Sequence, residues 1–226
     1  MISVLIPAFN AEDYIAEAIE SVLRQTYIDF EIVVVDDGST DQTRHVIESF
    51  STKVKYHYQE NSGVGAARNN CVKFSGGEFL AYLDADDVWA DNKLELQIQE
   101  FEADNSLEAV FGMIRNVHQK DWKHKILEAD IPESELLKGY TQATMLIKRQ
   151  SFLRIGMFPE EHTVGEFVDW LLRAKEADLR TKLLPNLFLW RRIHNSNLGL
   201  RHRAQVGDYI KILKKSIDRR RIIESK

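Results

Sequence analysis

Apolar positions in the first 114 residues alternate between two periods. Ile2 to Ile6 is a short, mostly apolar run, the pattern of a strand buried on both faces of a parallel sheet. Ile15, Ile19, Val22 and Leu23 then recur at helical spacing, with Asp13 placed to cap the helix start. Ile32 to Val35 is a β-branched strand, and Val46, Ile47 and Phe50 mark a second helix. Val54 to Tyr58 alternates like a half-exposed strand. Val64 to Phe74 reads as a helix ended by Gly76 and Gly77. Phe79 to Leu83 predicts the next strand, Leu94, Ile98 and Phe101 another helix face, and Ala109 to Ile114 another strand. Strand–helix repetition of this kind predicts an α/β fold, a mainly parallel sheet with helices on both faces.

The second half is less regular. Residues 116–139 are polar and mixed, with Trp122 among Lys120, Lys123, His124 and Lys125, and read as a long loop. Thr144 to Ile147 predicts a strand, Glu166 to Ala177 a helix, and Leu183-Leu184 and Leu187 to Ile193 two further strands. From about Ala204 the pattern is a basic helical tail carrying Lys211, Lys214, Lys215, Arg219, Arg220, Arg221 and Lys226. The tail either packs its Ile210, Leu213 and Ile217 face on the domain or attaches to an anionic membrane surface.

Composition narrows the picture. With 226 residues, 44% hydrophobic and 29% charged, the chain supports one domain with a real core. A net charge of −5 gives no global pull toward nucleic acid. Cys71, the single cysteine, excludes an internal disulfide and reads as a small core residue. No apolar run spans a bilayer and the first residues lack a signal-peptide pattern, so a cytoplasmic protein is expected, peripheral on the inner membrane face if the tail attaches.

Ligands of open parallel sheets bind beyond the carboxyl ends of strands. Those ends carry Pro7-Ala8-Phe9-Asn10, Asp36-Asp37-Gly38-Ser39, the stretch from Glu60 to Asn69, and Asp84-Ala85-Asp86-Asp87. Five carboxylates (Asp36, Asp37, Asp84, Asp86, Asp87) at one edge repel one another, and a divalent cation with oxygen ligands relieves that repulsion. Asp41 and Asp87 read equally well as turn or cap residues. Gly63-Val64-Gly65-Ala66-Ala67-Arg68 follows the third strand and ends in arginine, so it is not a dinucleotide fingerprint. Walker A, zinc-ligand and nucleophile-elbow patterns are absent from the sequence.

Taken together, Ile6 to Asn10, Ser21 to Tyr27, Val34 to Asp41, Asn61-Ser62-Gly63 with Ala67-Arg68-Asn69, and Leu83 to Trp89 resemble the inverting family 2 glycosyltransferases of the GT-A fold, in order and in spacing. The likeness is strong over 1–100 and looser over 140–200, through Arg149, Gly156-Met157-Phe158, Gly165-Glu166 and Arg191 to His194. The resemblance implies a Rossmann-like domain over 1–203, with a nucleotide-sugar half (1–115) and an acceptor half (116–203), followed by a basic helix over 204–226.

It also implies roles. Pro7, Ala8 and Phe9 would line the base and ribose pocket; Asp36 or Asp37 would accept from the pyrimidine edge; Arg68 would contact the base or the phosphates. Asp84, beside Ala85, would bind ribose, and Asp86 would hold Mn2+ or Mg2+, with His194 either completing the metal shell or serving a structural role. The donor would be a nucleotide sugar, by resemblance a UDP-sugar, transferred with inversion to an acceptor hydroxyl of a saccharide, lipid-linked saccharide or protein. The family's base is the aspartate of a Glu-Asp pair opening a helix, and Phe167 stands in its place here. Glu166 and Asp169, three apart in the same first turn, are the two substitutes. The departure leaves a binding module without transfer as the alternative. A nucleotidyltransferase ranks lower, since Pro7-Ala8-Phe9-Asn10 has neither glycine nor a basic residue.

Overall fold

The computed structural model describes residues 1–126, 131–161, 164–195, 197 and 206–224. Strand β1 (Ile2–Ala8) pairs in parallel with β2 (Phe30–Asp37) on one side and β4 (Phe79–Tyr82) on the other. β3 (Val54–Gln59) extends the parallel half beyond β2. The order continues from β4 through β8 (Leu146–Lys148), β6 (Ala109–His118) and β9 (Thr181–Ile193) to β5 (Val88–Trp89), with β7 (Leu137–Gly139) beside β6. β8 is antiparallel to both its neighbours, so the second half of the sheet is mixed.

The apolar runs are explained by burial on both faces. Val4, Ile6, Ile32 and Val34 meet Ile15, Ile19 and Val22 of α1 (Ile15–Leu23). Leu5, Val33 and Val35 meet Ala67, Cys71 and Val72 of α3 (Val64–Lys73), and Phe152 of α6 (Arg149–Ile155) and Trp170 of α7 (Glu166–Glu176) join that layer. Cys71 is a free, buried core residue. Helices α2 (Thr43–Glu48), α4 (Lys93–Ala103), the single turn α5 (Trp122–Lys125) and the terminal α8 (Val206–Glu224) complete the order.

Several sequence expectations are corrected. The stretch 116–139 is not one loop: β6 runs to His118, and α5 and β7 follow. Asn116 and His118 face out and Val117 in because β9 pairs along the strand, and just before the stretch buried Arg115 is closed by Glu135 (Nε to Oε2, 2.9 Å) and the Trp190 ring. The two strands expected over 183–193 are one, bulged against Phe111–Ile114, and exposed Pro185 is accommodated at that irregularity. Asp13 does not cap α1; Tyr14 holds that position, and the Ile15 amide donates to the Ala11 carbonyl instead. The strand expected from Thr144 begins at Leu146, after a tight turn over Gln142–Thr144. In α8 the packed face is Ile212, Ser216 and Arg219, not Ile210, Leu213 and Ile217, which are exposed. The expected boundary at 203/204 and Lys226 lie outside the described residues.

Lys93 is fully buried, donating to Gln97 Oε1 at 2.8 Å with its Nζ 3.9 Å from the Trp89 ring centroid. Burial pushes its pKa well below the ordinary lysine value. The unfolded chain therefore binds the extra proton over a window ending near the ordinary value of about 10.4, and stability rises with pH across it. In Lys93→Met that rise is absent, so the variant's stability relative to wild type falls as pH rises from 7 toward 10. Urea unfolding across that range checks this; a pH-independent difference would count against it.

Candidate functional site

The site forms where β1, β2 and β4 end. Pro7 and Ala8 are the buried last residues of β1, and Phe9 emerges 46% exposed. Asn10, at φ 47°, ties this loop to the next: its Oδ1 accepts from the Thr40 amide (2.9 Å) and its amide donates to Ser39 Oγ (2.9 Å).

Asp36 and Asp37 are buried and already bonded. Asp36 accepts from the Ser39 amide and from Tyr56 Oη, both at 2.9 Å. Asp37 accepts from Gln59 Nε2 (2.6 Å) and from the amides of Ser62 (2.8 Å) and Gly63 (3.0 Å). The pair therefore fixes the loops around the cleft. Gly38, at φ +78°, passes so close to Asn61 that a Cβ would lie 2.8 Å from its amide nitrogen.

Asp84, Ala85, Asp86 and Asp87 follow β4 and separate in role. Asp84 accepts from Arg68 Nη2 (2.7 Å) and Gln142 Nε2 (3.0 Å). Ala85 is buried. Asp86 turns to the other side, its Oδ2 2.9 Å from His194 Nε2 and accepting from Asn197 Nδ2 at 3.1 Å. Asp87 is buried, accepts from the Arg192 amide (2.9 Å), and its carboxyl is pushed well above the usual range by burial, then by the charges of Asp86 and Asp84. The repulsion expected among these carboxylates is thus felt at Asp87.

Arg68 is 4% exposed and faces neither open cleft nor solvent. One guanidinium arm holds Asp84 and the other Glu166 Oε1, joining the loop after β4 to the start of α7. Burial opposes its charge, but Asp84 and Glu166 outweigh burial and raise its pKa further. Among the described residues its buried Nε has no hydrogen-bond partner. Glu166 thereby joins the site, with Oε2 outside the Arg68 contact. Asp169 does not join it: Oδ2 accepts from Arg173 Nε (2.8 Å) and Oδ1 from Arg219 Nη1 (3.4 Å) of α8. Phe167 is buried, its ring stacked on Trp170 at 5.9 Å.

His194 is held from three sides. Its ring stacks on Tyr14 (4.7 Å, 28°), its amide donates to Asn197 Oδ1 (2.7 Å), and its Nε2 meets Asp86. Arg192 braces this edge, donating from Nε to the Asp86 carbonyl (3.0 Å), pairing with Glu17, and lying 3.7 Å from the Trp122 ring centroid. A cavity of about 670 Å³ opens here, lined by Tyr14, His118, Lys120 and His194 among others. Gln142, Asn197 and Tyr14 were not singled out by sequence. Asn197 carried a faint signal in standing three residues after His194, and Gln142 carried none.

Among the described residues no three His, Cys, Asp or Glu side chains form a cage for a metal. Asp86 Oδ2 and His194 Nε2 nevertheless converge, and Mg2+ or Mn2+ taken up with substrate phosphates needs only one or two protein ligands. The donor set fits a cation shared with a diphosphate and does not fit a protein-only cage.

Comparison with known proteins agrees with this geometry. The family described as glycosyl transferase family 2 matches residues 3–159. The glucosyltransferase WfgD of Escherichia coli, named for transfer from UDP-Glc to α-D-GlcNAc-diphosphoundecaprenol, is 33% identical over 184 residues, covering 79% of this chain and 72% of WfgD. An uncharacterized glycosyltransferase of Rickettsia typhi is 36% identical over 171 residues, covering 71% of this chain and 54% of that protein. The chain thus spans about half the length of some curated relatives it matches. Among solved structures, S. aureus TarS with UDP superposes with a TM-score of 0.66 at 24% identity, over 86% of this chain and 61% of TarS. The mannosyltransferase PcManGT of Pyrobaculum calidifontis, with GDP-Man and Mn2+, superposes at 0.72 and 21% identity, over 96% of this chain and 64% of that one. These structural likenesses carry the fold, a GT-A sheet flanked by helices, and with the family match over most of its length the chain belongs to glycosyl transferase family 2.

Proposed function

We propose that the chain transfers a sugar from a nucleotide diphosphate, a UDP-sugar, to an acceptor hydroxyl with inversion. The observation carrying this reading is the convergence of Asp86 and His194 next to an Arg68-held Asp84, at the carboxyl end of a parallel sheet. WfgD and TarS, named with UDP-Glc and UDP, support the uridine donor, while PcManGT, named with GDP-Man, keeps guanosine in the test.

Residues 1–115 serve the donor and 116–203 the acceptor. Pro7, Ala8 and exposed Phe9 wall the base, Asp36 and Asp37 shape that wall from behind, and Asp84 orients the ribose. Asp86 and His194 would hold Mn2+ or Mg2+, which stabilises charge developing on the departing diphosphate. Glu166 accepts the proton of the attacking hydroxyl at Oε2, because Oε1 is taken by Arg68. Asp169 has both oxygens engaged by arginines and is assigned a structural role. The deciding binding measurement is calorimetric titration of UDP, GDP and TDP with and without Mn2+.

One observation favours a second reading, binding without transfer: Phe167 fills the family's aspartate position and belongs to the core. The two readings separate at Glu166→Gln. Under transfer, the variant loses about 100- to 10,000-fold in kcat while donor affinity stays within a few-fold. Asp169→Asn keeps kcat and lowers Tm. Donor binding without wild-type turnover on any acceptor, or equal kcat in Glu166→Gln, decides against Glu166 as the base.

A further inference from the structure

Helix α8 has two faces of opposite character. The inner face lies on α7: Ile212 is fully buried, Ser216 Oγ donates to Glu176 Oε1 at 2.5 Å, and Arg219 Nε donates to Glu176 Oε2 at 2.7 Å. Its N-terminal end sits over Gly165, where a Cβ would meet Ile212 Cδ1 at 2.9 Å, one residue before Glu166. The outer face carries Ile210 (64% exposed), Leu213 (51%) and Ile217 (43%), spaced three and four apart in one stripe opposite Ile212.

Charge is segregated to the same element. Residues 206–221 hold six basic side chains against two acidic ones, in a chain whose net charge is −5. Lys211 pairs with Asp208, Lys215 with Glu161 and Arg219 with Glu176. Exposed Lys214, Arg220 and Arg221 flank the apolar stripe. No helix of the described residues is long and apolar enough to cross a membrane.

We propose that the outer face of α8 docks on the surface of an anionic phospholipid bilayer, with Ile210, Leu213 and Ile217 entering the acyl boundary and Lys214, Arg220 and Arg221 meeting lipid phosphates. An exposed aliphatic stripe edged by basic residues is the pattern of a helix lying in the membrane interface. A second copy docked through this face would bring the same cations against one another, so the charge favours lipid. Docking would set the start of α7, and with it Glu166, close to the bilayer. The inference stands without the transfer reading, because its readout is lipid binding.

Vesicle co-sedimentation of the chain tests it, using phosphatidylcholine alone and phosphatidylcholine with phosphatidylglycerol. The anionic vesicles are expected to bind at least tenfold more protein, and added salt to reduce the bound fraction. Leu213→Glu/Ile217→Glu and Lys214→Glu/Arg220→Glu/Arg221→Glu should each lower that binding about tenfold, with unchanged far-UV circular dichroism and Tm as the check on folding. Equal binding by the variants, or none by the wild type, overturns the proposal. So does a wild-type dimer in light scattering that Leu213→Glu/Ile217→Glu converts to monomer, which would make this face a self-interface.

Discussion

Asp86→Ala is expected to raise the Kd for UDP in the presence of Mn2+ by about 100-fold or more, with little change in Tm. Loss of an outer-shell partner of a metal costs about 10- to 100-fold in affinity, so loss of a direct ligand should reach at least the upper end. The fold should tolerate the change. The Asp86 side chain is 27% exposed, and its contacts are with His194 and Asn197 rather than with the core. Its removal also relieves Asp87, whose raised pKa comes from burial first and from the Asp86 charge next. The binding loss and the unchanged Tm together distinguish a ligand from a structural residue. Calorimetry with Mn2+ and with EDTA reads the first, and thermal unfolding the second. An unchanged Kd, or metal-independent binding in the wild type, would sink the assignment of Asp86 to a cation.

The parallel half of the fold was legible because its signal is local. Val4 to Ile6 and Ile32 to Val35 are buried on both sides, so an unbroken apolar run records the environment directly. The position of Asp84 and Asp86 at the sheet's carboxyl edge was legible for a related reason: they directly follow an apolar strand, and a strand's carboxyl end is where such a sheet leaves room for a ligand. Partnership was not legible. Arg68 and Glu166 stand 98 positions apart, and nothing near Arg68 indicates that its guanidinium turns inward to join two carboxylates. Asp36 and Asp37 read as free acids only because Tyr56, Gln59 and Ser62 arrive from other segments.

Periodicity failed where polar groups close an interface. In α8, Ile210, Leu213 and Ile217 form the better apolar stripe, yet the packed face is Ile212 with Ser216 and Arg219, bonded to Glu176. A hydroxyl and a guanidinium can seal a helix contact when a carboxylate faces them, and hydropathy gives such pairs no weight. The same blindness hid the extension of β6 past Ile114 to His118, since its next residue, Arg115, is buried against Glu135.

Arg68→Met carries the largest expected loss of stability, about 3–5 kcal/mol. Arg68 is buried between Asp84 and Glu166, and a methionine of similar length leaves Glu166, itself 6% exposed, without its counter-charge. In a chain of this size each kcal/mol moves Tm by about 2–4 °C, so a drop on the order of 10 °C is expected. Lysine in its place should recover only part, since a single ammonium cannot fork between two carboxylates as a guanidinium does. The cause is tested by the double variant Arg68→Met/Glu166→Gln. Removing the stranded charge should return about 1–3 kcal/mol, although Glu166→Gln alone destabilises the wild type. If the two losses simply add, Arg68 contributes by filling space, and the link it makes between the Asp84 loop and the start of α7 is not electrostatic.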